Sequence, residues 1–256
     1  MSGRYSLFMI DRNHPIGKLA NFRDLGQLPA EGGKVRTGQV FRSDDLSQID
    51  DEEANRLADL GLSLVIDLRS ADEVEGVGKG PLGTHQISYV NIPLLSDESS
   101  GIQTEELLNR EFTSQMLGQW YAKVFLEGVA KIGTGLEMIA DSKGPVLFHC
   151  AVGKDRTGIF AASLLAAIGV KRHAIVGDYS RTNENLSRVL ARLTALQPFW
   201  DESLIARSGA LMRADKEAME TMLEVVGYEH QIVDKLEAAG LKPGTREKLM
   251  TRLIQS

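Results

Sequence analysis

Residues 145–149 read Pro-Val-Leu-Phe-His, a short apolar run, and a run of small and branched residues suited to a buried helix follows from Gly158 to Ile168. An apolar run of that length, rich in branched and aromatic side chains, reads as a strand buried on both faces. Burial on both faces implies parallel neighbours joined by helical crossovers, because an antiparallel surface strand would alternate polar and apolar residues. Two further runs, LSLVIDL at 62–68 and ISYVNIPLL at 87–95, supply such neighbours. Asp50 with Glu53 forms a capping-box pattern that opens a helix through Leu57 and Leu60, ending near Gly61, and the run from Asp50 to Glu53 reads as a solvated helix start. Phe112, Met116, Trp120, Val124, Val129 and Ile132 keep helical spacing over a long segment, as do Leu186, Val189, Leu190 and Leu193. The last third reads as purely helical, with Met219, Met222, Leu223 and Val226 on one face and Gly227 as a C-cap. These patterns predict an α/β fold: a central, mainly parallel sheet flanked by helices, with a C-terminal helical elaboration, in a single domain spanning 1–256.

The net charge of −6 argues against general affinity for nucleic acid or an anionic membrane, although it leaves room for a local anion site. Cys150 is the one cysteine of the chain, so no internal disulfide supports the fold. The apolar run Leu7 to Ile10 is too short for a signal-peptide core, and the uncharged stretch Thr157 to Val170 is shorter than the ~20 residues a spanning helix needs. A cytoplasmic protein with no integral membrane segment is expected, with export by an unconventional route left open. His14, His85, His149, His173 and His230 show no metal-ligand spacing, and neither a metal nor a cofactor is expected.

The sequence between strand and helix, His149-Cys150-Ala151-Val152-Gly153-Lys154-Asp155-Arg156-Thr157, carries the chemistry. Amides at a helix N-terminus have no internal acceptor, and with the helix dipole they gather an anion. Gly153 allows the backbone to curl closely round a ligand, and Arg156 can fork hydrogen bonds to two phosphoryl oxygens. A thiol placed at such a helix start beside cations is biased toward the nucleophilic thiolate. A buried cysteine after a core strand is by itself common; the whole set at these intervals is not. Gly153-Lys154 is followed by Asp155 where a Walker loop needs a hydroxyl for magnesium, which excludes that motif.

HCAVGKDRT resembles the His-Cys-x5-Arg-Ser/Thr signature of the cysteine-dependent protein tyrosine and dual-specificity phosphatases, and its ending is similar to that of their atypical bacterial branch. NFRDLG (21–26), FRSDDL (41–46), VIDLRS (65–70) and DYSRTNENL (178–186) resemble further landmarks of that branch; Val152 departs from it, standing where alanine is expected. The resemblance implies a metal-independent phosphomonoesterase with Cys150 as nucleophile and Arg156 as phosphate clamp. The backbone of Ala151, Val152, Gly153, Lys154, Asp155 and Arg156 would cradle the phosphate. His149 would orient and acidify the thiol, and Thr157 would donate its hydroxyl to the departing thiolate. Lys154 would favour highly anionic substrates such as phosphoinositides; otherwise it reads as a solvated loop lysine. Phosphorylated protein, phosphotyrosine first, or a phosphoinositide is the implied partner, and residues 199–240 would form a lid-like elaboration over the entrance.

The leaving group needs a proton, and two carboxylic acids compete to supply it. Asp155 lies in the loop itself and is favoured; Asp97, in the polar segment LLSDESSG, could swing in when substrate binds. Asp67, closing the run LVID, is expected to bond to loop amides or Arg69. Two other classes share parts of this pattern. A rhodanese-like sulfurtransferase also starts an anion loop with cysteine, but the five residues between Cys150 and Arg156 favour phosphate over persulfide. A non-catalytic phospho-ligand module commonly lacks the cysteine or the arginine, both present here.

Overall fold

The structure, a computed structural model, describes residues 17–95, 112–196, 209–228 and 230–256. The strands are β1 (Arg23–Asp24), β2 (Pro29–Ala30), β3 (Gly33–Val35), β4 (Val40–Ser43), β5 (Leu64–Asp67), β6 (Ser88–Asn91), β7 (Val146–His149) and β8 (Ile254–Gln255). The larger sheet runs β1-β4-β7-β5-β6, with β4, β7, β5 and β6 parallel and β1 antiparallel at the edge. Every residue of β7 is buried, as its unbroken apolar run requires. His149 sits in register with Ser43 on one side and Asp67 on the other, so three strands end together at one carboxyl edge. Loops leaving such an edge are where sites form in open α/β sheets.

The helices are α1 (Asp51–Ala58), α2 (Ala71–Val77), α3 (Ser114–Asp141), α4 (Asp155–Ala167), α5 (Arg172–Ser180), α6 (Leu186–Leu196), α7 (Lys216–Val226), α8 (His230–Ala238) and α9 (Thr245–Leu253). α4 follows β7 after the cysteine loop and is buried from Thr157 onward, with Phe160 stacked at a tilt on Phe148 at 4.8 Å. Met219, Met222, Leu223 and Val226 of α7 are wholly buried in the main core, where α7 packs along α3.

The structure corrects four details. Val40–Ser43 is a strand, and it lies beside β7 at the centre of the sheet. Its charged Arg42 hides it from an apolar-run criterion, yet that guanidinium is buried and paired. α3 buries Leu117, Tyr121, Phe125 and Ile132, while Met116 stays exposed, so its inner face is turned one residue from the expected stripe at this end. Tyr121 is accommodated on that inner face because its hydroxyl finds partners inside. Glu53 is not solvated: it is buried and accepts from the backbone amides of Asp50 and Lys18, while Asp50 caps α1 as expected. The C-terminus is not purely helical either, since β8 pairs with β3, Val35 opposite Ile254, in a second sheet ordered β2-β3-β8. The segment 199–240 is described only from residue 209 onward, where it is helical. Among the described residues no helix is long and apolar enough to cross a membrane.

Candidate active site

Cys150 leaves the end of β7 at the floor of the loop, only 2% exposed, and its Sγ accepts a hydrogen bond from the amide of Gly153 at 3.3 Å. Gly153 has φ +71°, and a Cβ there would lie 2.5 Å from the carbonyl oxygen of Ser43, so the turn is closed to any larger residue. α4 begins at Asp155, three residues before the helical run Gly158 to Ile168, so the amides of its first turn, which lack an intrahelical acceptor, adjoin the cysteine loop.

The loop keeps its amides inward because its carbonyls are tied outward. Asn21 Nδ2 donates to the carbonyls of Val152 (3.2 Å) and Gly153 (2.8 Å), and Arg42 donates to the Gly153 carbonyl at 2.8 Å. The amide of Asp45 donates to the Ala151 carbonyl at 3.1 Å. Behind them Asp178 of α5 receives Arg42 at 2.7 Å and Arg23 at 3.0 Å, all three side chains buried. Burial alone would raise the Asp178 carboxyl, but the Arg23 and Arg42 guanidiniums outweigh it and hold the group well below the usual carboxylate range. Burial and the neighbouring Arg23 bring Arg42 down to about 10, against the pull of Asp178.

On the other flank stands a second ionic group. Asp67 accepts from the Arg69 backbone amide at 2.9 Å, from the Arg69 guanidinium and from the Tyr89 hydroxyl at 2.6 Å, which matches the expected bonding to Arg69. Burial pushes its carboxyl up, yet His149, Arg69 and Tyr89 bring it down to about 2. The buried His149 ring lies 3.6 Å from Asp67, and its Nδ1 donates to the Cys150 carbonyl at 3.3 Å. Burial lowers the imidazole pKa in spite of Asp67, so the ring is neutral near pH 7. The Thr157 hydroxyl is buried with no partner among the described residues, leaving it available to sulfur.

Arg156 is held by a carboxylate that the sequence reading missed. Both of its terminal nitrogens donate to Glu73 of α2, one of them at 2.8 Å. Glu73 also closes the capping box of α2 with Ser70, and that Ser-x-x-Glu pattern in RSADE is the signal that could have marked it. Burial would lower the Arg156 pKa, but Glu73 and the charge at Cys150 raise it above its ordinary value.

Lys154 is not a solvated loop lysine. It is 3% exposed, and its ammonium donates to the carbonyls of Leu211 and Arg213, lying 3.3 Å from Asp155 Oδ1. Asp155 keeps 27% of its side chain exposed at the mouth, and its Oδ1 also accepts from the Tyr121 hydroxyl of α3. Asp97 lies outside the described residues. Thus Cys150, Arg156, Asp155, His149, Thr157 and Asp67 converge on one sheet edge, joined by Glu73, Asn21, Arg42, Asp178 and Tyr121. Among the described residues no group of His, Cys, Asp or Glu side chains could hold a metal ion.

Residues 14–255 match the model of the tyrosine phosphatase family. The chain is 30% identical over 200 residues to the triple specificity protein phosphatase PtpB of Mycobacterium tuberculosis, spanning 69% of this chain and 71% of that one. A Cupriavidus necator protein provisionally named a tyrosine-protein phosphatase is 31% identical over 186 residues, 70% of this chain and 67% of its own. A tyrosine-protein phosphatase of Nostoc commune is 34% identical over 142 residues, 54% of this chain and 46% of its own.

Proposed function

The chain belongs to the tyrosine phosphatase family and is a cysteine-dependent phosphatase, and we propose that phosphotyrosine in protein is its first substrate, with Asp155 as general acid. The sulfurtransferase and non-catalytic readings fall away with the family. The observation that carries the residue assignment is the floor of the loop: a thiol 2% exposed, accepting from the Gly153 amide at 3.3 Å, at the start of a helix that also carries Arg156. A nucleophile so recessed suits a phosphate carried out on a long aryl ring. A cytoplasmic setting fits an unpaired thiol that must stay reduced.

The reaction proceeds in two displacements. The Cys150 thiolate forms a bond to phosphorus while the bond to the bridging oxygen breaks; that oxygen keeps the electron pair and takes the Asp155 proton. Loop amides and the Arg156 fork hold the equatorial oxygens, where charge concentrates. Water then attacks phosphorus, its proton passes to Asp155, and the S–P electrons return to sulfur, which Thr157 receives with a hydrogen bond. A second reading, hydrolysis of phosphoserine, phosphothreonine or phosphoinositides as well, is supported by the name of the mycobacterial relative, a triple specificity protein phosphatase.

The test is kcat/KM over a panel of phosphopeptides and phosphoinositides, with Cys150→Ser as control. The highest value is expected on phosphotyrosine, and the serine variant is expected to bind tungstate without turnover. Faster turnover of a phosphoinositide replaces the substrate assignment, and undiminished activity of the serine variant ends the mechanism.

A further inference from the structure

Two tyrosines that the mechanism above does not use meet beneath its general acid. Tyr121, from the N-terminal third of α3, and Tyr179, from α5, are both buried, and their hydroxyls are 2.7 Å apart. Their rings meet edge to face at 5.9 Å. Tyr121 reaches further, donating to Asp155 Oδ1. Burial, with the Asp155 carboxylate alongside, holds the Tyr121 hydroxyl well above the ordinary phenol range, so it remains a donor. Gly158, one turn along from Asp155, leaves room for this pair: a Cβ there would lie 3.0 Å from Tyr179 Cδ2.

We propose that Tyr121, backed by Tyr179, is a positioning residue that fixes the rotamer of Asp155 and directs its acidic proton to Oδ2. The inference rests on Asp155 being the general acid. Oδ1 already faces one donated hydroxyl proton and the Lys154 ammonium at 3.3 Å. A carboxylic acid cannot also carry its own proton on an oxygen crowded by donors, so the proton resides on the other. No described residue bonds to Oδ2, the oxygen left for the leaving group. A carboxyl with free rotation would present either oxygen at either angle, and misplacement of a reacting group by ~1 Å can cost ~10²-fold in rate. The chain of hydroxyls therefore links two helices outside the cysteine loop to the proton-transfer step.

Leaving-group dependence tests this, because an acid matters most for a poor leaving group. In Tyr121→Phe, the ratio of kcat on 4-nitrophenyl phosphate to kcat on a phosphoserine peptide is expected to rise about 10- to 100-fold over wild type, with KM little changed. Tyr179→Phe, which leaves the Tyr121 donor in place, is expected to raise the same ratio less, and it serves alone if the first variant does not fold. Tyr121→Phe added to Asp155→Asn is expected to change the ratio no further, since the two act as one unit. If Asp155→Asn raises the ratio and the tyrosine variants do not, or if they lower both rates equally, the proposal is overturned while the acid assignment stands. If Asp155→Asn itself leaves the ratio unchanged and Asp97→Asn raises it, the acid assignment falls and the proposal with it.

Discussion

At the scale of single residues, two neighbouring cations in the loop do opposite jobs. Arg156 is gripped by Glu73 through both of its terminal nitrogens, so its planar fork meets a carboxylate along one edge and keeps the Nε edge as the one proposed to take phosphate. Lysine keeps the charge but cannot bond along two edges at once. Arg156→Lys is therefore expected to lower kcat by about 10²–10³-fold, the range for losing a preorganised oxyanion donor, measured on 4-nitrophenyl phosphate. Lys154 instead ties the loop to the turn Gly209–Leu211 through the Leu211 carbonyl. Lys154→Ala is expected to lower the melting temperature while leaving the phosphoinositide-to-phosphotyrosine activity ratio where it was. A selective loss on phosphoinositides would show that the ammonium turns toward the substrate. The identities of Cys150 and Arg156 were legible because their spacing is set by one strand, one loop and one helix, all contiguous. The environment of Lys154 was not, since its partners come from a turn more than fifty residues away.

At the scale of elements, the loop is braced across the sheet by parts of the chain remote in sequence. β4 contributes Arg42, the segment before β1 contributes Asn21, and α5 contributes Asp178, which joins Arg42 to Arg23. Removing one partner from a buried ionic group strands the others, at a cost of about 3–5 kcal/mol. Asp178→Ala is expected to lower stability to urea by that amount, and to depress kcat further than KM, because the Gly153 carbonyl loses a fixed donor. Stability unchanged within about 0.5 kcal/mol would mean the guanidiniums find water instead. Strands β5 and β7 were readable as buried apolar runs and α7 as a periodic face closed by Gly227, whereas β6, expected to be buried as well, is a strand at the sheet edge with none of its residues fully buried. β4 was not, because Arg42 makes the run look like surface until Asp178, over a hundred residues later, is placed against it. The resemblance marked NFRDLG, FRSDDL and DYSRTNENL as landmarks, but only the fold shows that Arg23, Arg42 and Asp178 from them form one ionic brace.

For the whole molecule, the same buried ionic groups set the response to acid. Asp67 is held down to about 2 from an ordinary 3.8, and His149 is depressed from 6.5 by burial. In each case the folded pKa lies below the unfolded one, so the unfolded chain binds more protons in the interval and stability falls as pH falls through it. For His149 the loss begins below about pH 6.5. For Asp67 the contribution is complete above about pH 4 and disappears towards pH 2, and the shift corresponds to about 2 kcal/mol. Asp178 and Glu73, also lowered, add to the loss in the same direction. Urea unfolding followed from pH 7 to pH 3 is therefore expected to show a falling midpoint, with the decline setting in below about pH 6.5 and steepening below about pH 4. Asp67→Asn starts less stable at pH 7, because Arg69 loses one of its two carboxylate partners and keeps only Asp45, yet it should lose less on acidification than the wild type. The two curves should converge as pH approaches the folded pKa of Asp67, since protonated aspartate and asparagine then present Arg69 with similarly neutral partners. Parallel curves, with the same gap at pH 3 as at pH 7, would show that the Asp67 carboxylate stabilises the fold by packing rather than by charge.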